Sequence, residues 1–137
     1  MLVPCSIGDA LDRLTILEIK RDRIEDRDKL RHVREELEAI ELAVGDLVVD
    51  ERLAELRAAL KDINERLWDV EDALRAKERE HDFCEAFVAL ARSVYVLNDA
   101  RADLKRQVNA ATGSDLVEVK SYDSASCGAE KYRCVRK

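Results

Sequence analysis

The clearest pattern in the chain is a run of aliphatic residues spaced alternately three and four positions apart. The run consists of Leu53, Leu56, Leu60, Ile63, Leu67, Val70 and Leu74. This spacing is a heptad repeat, here called the heptad seam, and it predicts a long helix over 51–80. A seam of this kind packs against a near-antiparallel neighbour with a left-handed twist. Asp50, directly before the run, is the expected N-cap.

A second long helix is predicted over 83–111. Asp82 and Glu85 have the spacing of a capping box at its start, and Gly113 stands just beyond its end. Only a very short turn near His81 separates the two long helices. They must therefore form an antiparallel hairpin about 45 Å long, at 1.5 Å per residue.

The first of two shorter helices is predicted over 7–25, where Ser6 and Asp9 resemble a capping box. Most of its apolar residues form one stripe, but Ile16 and Ile19 lie on the opposite side. A single neighbouring layer cannot bury both sides of such a helix. We therefore expect either the bundle to enclose this helix or another subunit to cover it.

The second short helix is predicted over 29–44, with Asp28 as its N-cap and Gly45 as its stop. Both short helices would pack along the hairpin. The expected fold is an all-α antiparallel bundle over 1–113, built on the hairpin of the third and fourth helices. Residues 114–137 first alternate weakly between apolar and polar positions, in "DLVEVKSY", and then become polar and small. They predict an extended tail that packs on the bundle or trails from it.

Polar residues interrupt the apolar faces of the first, third and fourth helices. In an antiparallel hairpin with this turn, paired positions sum to about 163, so Asn98 should lie level with Asn64. The candidate site residues are Glu18, Arg21, Asn64, Glu71, Asn98, Arg101 and Lys105.

These polar residues have two interpretations. They can fix the register of the bundle as buried amide and ion pairs, with Arg101 and Lys105 reaching solvent or neutralising Glu18 or Glu71. Alternatively, they line a polar cleft between helices. In such a cleft Arg21, Arg101 and Lys105 suit a small anionic ligand with a phosphate or carboxylate, and the glutamates could hold a metal or act as a base.

Composition limits the classes of partner. Charged residues make up 39% of the chain, while glycine (4) and proline (1) are scarce, as in long helices. The net charge of −6 argues against nucleic-acid binding, which needs a basic face. No stretch has the roughly 20 apolar residues of a membrane span. The start of the chain lacks the features of a signal peptide. We therefore expect a cytoplasmic protein with reduced cysteines.

Motifs for metal binding or hydrolysis are weak. The four cysteines do not have zinc-site spacing, and no metal site is predicted from them. They are Cys5, Cys84, Cys127 and Cys134. His32 and His81 have no nucleophile at a fixed spacing, so a hydrolase triad is not supported. Glu35 and Glu38 resemble a carboxylate pair of helical pyrophosphatases, but they point away from the apolar stripe and predict a solvated face.

Several segments together resemble an uncharacterised bacterial family, domain of unknown function 6165. They are "VPCSIGDALDRLTILEIK" (3–20), "VEDALRAKEREHDF" (70–83), "LARSVYVLNDARADLKRQVN" (90–109) and "LVEVKSY" (116–122). The resemblance covers residues 3–122 and implies a helical fold. It implies no activity, cofactor or catalytic residue.

Two functions from different classes follow. The first is a helical binding or interaction module that associates with itself or with a partner helix, since the heptad seam and the second apolar side of the first helix invite one. The second is a small enzyme that acts on a phosphorylated sugar or nucleotide in the interhelical cleft, with or without a metal. Strongly shifted carboxylates in a pocket would favour the enzyme, and paired charges in a dry interface would favour the module.

Overall fold

A computed structural model describes residues 4–45, 51–116 and residue 119 of the chain. The described residues form four α-helices and no strand. The helices are α1 (Ile7–Arg23), α2 (Arg27–Val44), α3 (Glu51–Arg79) and α4 (Glu85–Thr112). The predicted all-α fold and its four helices are confirmed. None of these helices has the length and apolar character required to cross a bilayer.

The N-termini of the two short helices are capped by side chains. Ser6 accepts a hydrogen bond from the backbone N–H of Asp9 at 3.0 Å and donates to its carboxylate at 2.7 Å, so the predicted capping box is confirmed. At α2 the prediction of Asp28 as the cap is wrong. The carboxylate of Asp26 accepts from the backbone N–H groups of Asp28 and Lys29, and α2 starts two residues earlier than expected.

The turn between α3 and α4 is a Schellman motif. The backbone N–H of Asp82 donates to the carbonyl of Lys77 at 3.0 Å, and His81 adopts a left-handed conformation with φ of 53°. Left-handed backbone is uncommon for a residue other than glycine. The turn therefore lies at His81, as the sequence predicts.

The predicted capping box at the start of α4 is wrong. Cys84 occupies the N-cap position and makes no side-chain cap hydrogen bond. The carboxylate of Asp82 instead accepts from the Lys77 ammonium at 2.6 Å and from the backbone N–H of Cys84 at 3.3 Å. Hydrogen bonds from the Lys77 ammonium, from the Cys84 side chain and from the Cys84 backbone, in that order, lower the pKa of Asp82 to about 2. The carboxylate is held across the turn and does not cap the helix.

Helix α1 lies at the centre of the molecule. It packs against α2 on one side and against both helices of the α3–α4 hairpin on the other. Ile19 is only 2% exposed and Ile16 is half-buried, so the bundle itself encloses α1. The backbone of α2 approaches α1 and neither hairpin helix, so the expectation that both short helices pack along the hairpin is wrong for α2.

The hydrophobic core joins all four helices around α1. Its buried side chains are Leu11, Leu14, Leu17, Val33, Leu37, Val44, Leu53, Leu56, Leu60 and Val108. The close approach of α1 to α4 requires a glycine in α1. A Cβ atom at Gly8 would lie 2.6 Å from the backbone oxygen of Lys105 and 2.9 Å from Oδ1 of Asn109. The backbone N–H of Gly8 donates to that same Asn109 oxygen at 2.7 Å.

The heptad seam is buried over only half of its length. Leu53, Leu56, Leu60 and Ile63 are buried, whereas Leu67, Val70 and Leu74 are half-exposed. Beyond Asn64, α1 still contacts α3 through Arg23, which pairs with Asp69 and packs on Trp68, but the packing is open. From residue 65 to residue 96, here called the distal hairpin, no residue is fully buried.

Several predictions concern chain ends and connections. Gly45 ends α2 in a right-handed helical conformation, with φ of −53°, and not in the left-handed one typical of a glycine stop. Ser114, the first residue of the predicted tail, accepts a weak hydrogen bond from the backbone N–H of Ile7 at 3.4 Å. Asp50 and most of the tail lie outside the described residues, so their predicted roles stay predictions.

Candidate functional site

The main polar cluster, here called the Asp12 network, lies where α1 meets both hairpin helices. Arg101 of α4 binds the Asp12 carboxylate in a bidentate way, with N–O distances of 2.8 and 2.5 Å. From α3, the Asn64 amide donates to Asp12 at 2.8 Å and to the Thr15 hydroxyl at 3.0 Å. Asp12 and Asn64 are 5% and 6% exposed. A buried carboxylate satisfied in this way holds three helices in one register.

A second buried carboxylate ties α1 to α3. Glu18 is 7% exposed and binds Arg57 directly, while Lys61 lies 3.4 Å from its other oxygen. Both cations belong to successive turns of α3. They neutralise a charge that would be costly to bury alone.

A third ion pair ties α1 to α4 one turn away from the Asp12 network. The ammonium of the buried Lys105 lies 2.8 Å from the Asp9 carboxylate. Burial favours a higher pKa for Asp9, but the hydrogen bonds from Lys105 and Ser6 and the charge of Lys105 outweigh it and lower that pKa. Asp9 is therefore held as a carboxylate that both caps α1 and pairs with α4.

Two open cavities flank the ridge formed by Ile16, Lys20 and Arg101. The first, here called the Trp68 cavity, has a volume of about 470 Å³ and lies between α1 and α3. It is lined by Ile16, Ile19, Lys20, Asn64, Leu67, Trp68, Glu71, Asp72, Arg75 and Arg101. The second cavity, of about 440 Å³, lies toward α2 and is lined by residues that include Asp9, Asp12, Arg13 and Glu36.

The seven predicted site residues do not form one cleft. Asn64 and Arg101 meet at Asp12, and the Asn98 amide oxygen lies 3.5 Å from Arg101. The level placement of Asn64 and Asn98 stays a prediction, although both contact the Asp12–Arg101 pair. Glu71 shares the Trp68 cavity with Asn64 and Arg101.

Three other candidates lie elsewhere. Glu18 is bound to α3, and Lys105 is bound to Asp9. Arg21 is exposed and pairs with its neighbour Asp22 at 2.8 Å, outside both cavities. The expected partners were also different: Arg101 and Lys105 neutralise Asp12 and Asp9, and not Glu18 or Glu71.

The sequence interpretation missed Asp12 and Arg57. Asp12 follows Leu11 and precedes Leu14 in the apolar stripe of α1, and it lies one turn after Asp9. The sequence does contain a signal for a buried role of Asp12. Asp12 lies about one turn after Asp9 of the capping box and beside leucines of the core. Arg57 directly follows the seam residue Leu56, and nothing in the periodicity assigns it to Glu18.

The remaining candidate chemistry is found on the surface. Within the described residues, no group of three histidine, cysteine or acidic side chains could hold a metal ion. Cys5 and Cys84 are free and exposed, while Cys127 and Cys134 lie outside those residues. His32 is exposed beside Glu35 at 3.8 Å. Glu35 and Glu38 of the pyrophosphatase-like pair are exposed, as predicted.

Among the described residues, three of the six large exposed hydrophobic side chains lie on the distal hairpin. Large hydrophobic side chains stand out along it and beside its turn: Phe83 is 53% exposed, Val88 52% and Tyr95 45%. Phe83 and Phe87 contact each other edge to face, with ring centroids 5.2 Å apart. The seam residues between the two helices are half-exposed as well. A surface of this kind on a helical hairpin is typical of a helix-binding face.

The chain matches the model of a family of unknown function (DUF6165) over residues 1–134. The match continues past Tyr122, where the resemblance seen in the sequence ended. No curated protein and no solved structure matches the chain.

Proposed function

The chain belongs to the DUF6165 family, and we propose that it is a helical interaction module that self-associates through the distal hairpin. The observation that carries this proposal is the heptad seam, which continues for three half-exposed residues beyond its last buried position, Ile63: Leu67, Val70 and Leu74. A heptad repeat specifies packing against other helices. The described helices leave these three seam residues only partly covered. We further expect the protein to act in the cytoplasm.

A second copy of the chain is the partner that best fits this surface. In an antiparallel pair of helices, each helix buries only one side of its apolar stripe. Two such pairs together form a four-helix bundle, in which the stripes face a common core. A second distal hairpin supplies the same apolar face, and a two-fold axis brings the two faces together as an isologous interface. The face is about 22 Å long, at 1.5 Å per residue over half the hairpin. An interface of this length falls in the small size class, so we expect a dimer that dissociates on dilution.

The charges of α1 support a module over the enzyme alternative. Its buried carboxylates, Asp12 and Glu18, are each neutralised by cations from the hairpin, as is the partly exposed Asp9. Such pairing stabilises the arrangement of helices and leaves these carboxylates engaged with the protein itself. A catalytic base needs a carboxylate that is available to a substrate proton.

The test compares two exposed positions. Val88→Glu places a charge on the distal hairpin, whereas Leu42→Glu places one on α2, where Leu42 is 81% exposed. Sedimentation velocity over a range of concentrations should show a monomer–dimer equilibrium for the wild type and for Leu42→Glu. Val88→Glu should remain monomeric, because a dimer would bury its carboxylate. A wild type that stays monomeric at every concentration, or a Val88→Glu variant that dimerises normally, would disprove the proposal.

A further inference from the structure

The Trp68 cavity combines an apolar floor with unpaired charges of both signs. From this combination we infer that it binds a small zwitterion with a flat apolar side chain, the chemistry of an aromatic amino acid. The inference does not depend on self-association, since side chains of a single copy of the chain form the cavity. Leu67 is the one seam residue that lines it.

The floor of the cavity suits a flat apolar group. Ile19 is buried, while Ile16, Leu67 and Trp68 are half-buried along the cavity wall. The guanidinium of Arg23 lies 5.9 Å from the centre of the Trp68 ring, which helps to fix the indole in place. An indole held in this way offers a rigid surface for an aromatic ring. Small-molecule sites typically have such walls with a few convergent polar groups.

The rim of the cavity carries two charges without an ion-pair partner among the described residues. They are the ammonium of Lys20 on α1 and the carboxylate of Asp72 on α3. Asp72 acts only at longer range on Arg23, whose ion pair is with Asp69. The other charges are engaged: Arg101 binds Asp12, and Arg75 lies 3.4 Å from Glu71. One unpaired cation and one unpaired anion match the carboxylate and the ammonium of a zwitterion. A multiply charged anion such as a nucleotide would meet the two carboxylates of the lining unfavourably.

Asn64 adds a directional acceptor. Its amide nitrogen donates to Asp12 and to Thr15, so both of its N–H groups are used by the Asp12 network. The carbonyl oxygen of Asn64 remains to accept a hydrogen bond at the cavity wall. A donor group of the ligand can reach this oxygen, while its ammonium binds Asp72 about two turns further along α3. The Asp12 network thereby positions one polar group of the cavity.

Trp68 is the only tryptophan in the chain, so its fluorescence reports on this cavity directly. Titration of the full chain with L-phenylalanine should give a saturable change in that fluorescence. Lys20→Met and Asp72→Asn should each weaken binding by about tenfold or more, because each removes one charge contact. The matched control is Lys29→Met, on the exposed side of α2, which should bind like the wild type. The thermal midpoint of each variant establishes that it is folded.

The ligand class is tested with probes that carry one charge or several. Phenylacetate and phenethylamine each keep the ring but lose one charge, and both should bind more weakly than L-phenylalanine. Adenosine monophosphate should bind more weakly still. The inference is overturned if L-phenylalanine gives no saturable change, if Lys29→Met weakens binding as much as Lys20→Met, or if the nucleotide binds more tightly.

Discussion

At the residue scale, the polar interruptions of the apolar faces are ion pairs and amide contacts that hold α1 to the hairpin. The sequence identified Glu18, Asn64, Arg101 and Lys105 as unusual, because each stands where an aliphatic residue is expected. It did not identify their partners. Partner choice depends on how α1 crosses α3 and α4, and the helical period of a single segment carries no information about that crossing.

The Arg101–Asp12 pair gives the first prediction at this scale. Arg101→Met should lower the free energy of unfolding by about 3 kcal/mol, because it leaves the Asp12 carboxylate buried without its cation. Urea unfolding measures the difference. The control is Arg106→Met on the same helix, whose exposed pair with Asp103 at 2.9 Å should be worth less than about 1 kcal/mol. If Arg101→Met is as stable as the wild type, Arg101 acts only as an aliphatic stem that reaches solvent.

At the element scale, the existence of the helices follows from the sequence, whereas some of their ends and their arrangement do not. Periodicity locates all four helices, since apolar stripes and scarce glycine and proline leave little alternative. Two caps were assigned to the wrong residue. At α2 the N-cap is Asp26, and not Asp28, because the Asp26 carboxylate binds the free backbone N–H groups of the first turn. At α4 the Asp82 carboxylate binds the Lys77 ammonium across the turn and does not cap the helix. The sequence does not predict that α2 packs on α1 alone. The single apolar stripe of α2 could pack against any apolar helix face.

The approach of α1 to α4 gives a prediction at this scale. Gly8→Ala should lower the free energy of unfolding by about 1–3 kcal/mol, because the new methyl group would overlap the backbone oxygen of Lys105. Gly45→Ala is the matched control. Gly45 has a helical conformation and no atom within 4 Å of an added Cβ, so alanine there should be neutral or stabilising by up to about 1 kcal/mol. Thermal and urea unfolding of the two variants measure both effects.

Equal stability of the Gly8→Ala and wild-type proteins would mean that α1 and α4 can separate without cost. The proposed roles of Asn109 and Lys105 as partners of α1 would then be wrong as well. A large loss for Gly45→Ala would show that the C-terminus of α2 is packed in solution against something that the described residues do not include.

At the scale of the whole molecule, the hairpin has two halves with different surroundings. The half near α1 is the core of the fold, where cations of the hairpin neutralise three carboxylates of α1 and the leucines are buried. The distal half has the same heptad pattern, but α1 reaches only its beginning, through Arg23, and none of its residues is fully buried. A heptad pattern predicts which residues are buried in a helix-to-helix contact. It does not predict whether the contacting helix belongs to the same chain or to another copy. The predicted site residues are separated in the same way. Glu71 lies on the distal half of the hairpin, whereas Glu18 of α1 binds Arg57 in the packed half.

Amide hydrogen exchange tests self-association through the distal hairpin most directly, because it reports both the association and its location. The wild-type chain would be measured at protein concentrations above and below the dissociation constant of the dimer. Burial of a helical face slows the opening that exchange requires. The proposal predicts that exchange within 67–94 slows as concentration rises, while exchange in α1 and α2 does not change. Rates in the distal hairpin that are independent of concentration, or a slowing confined to α2, would contradict it.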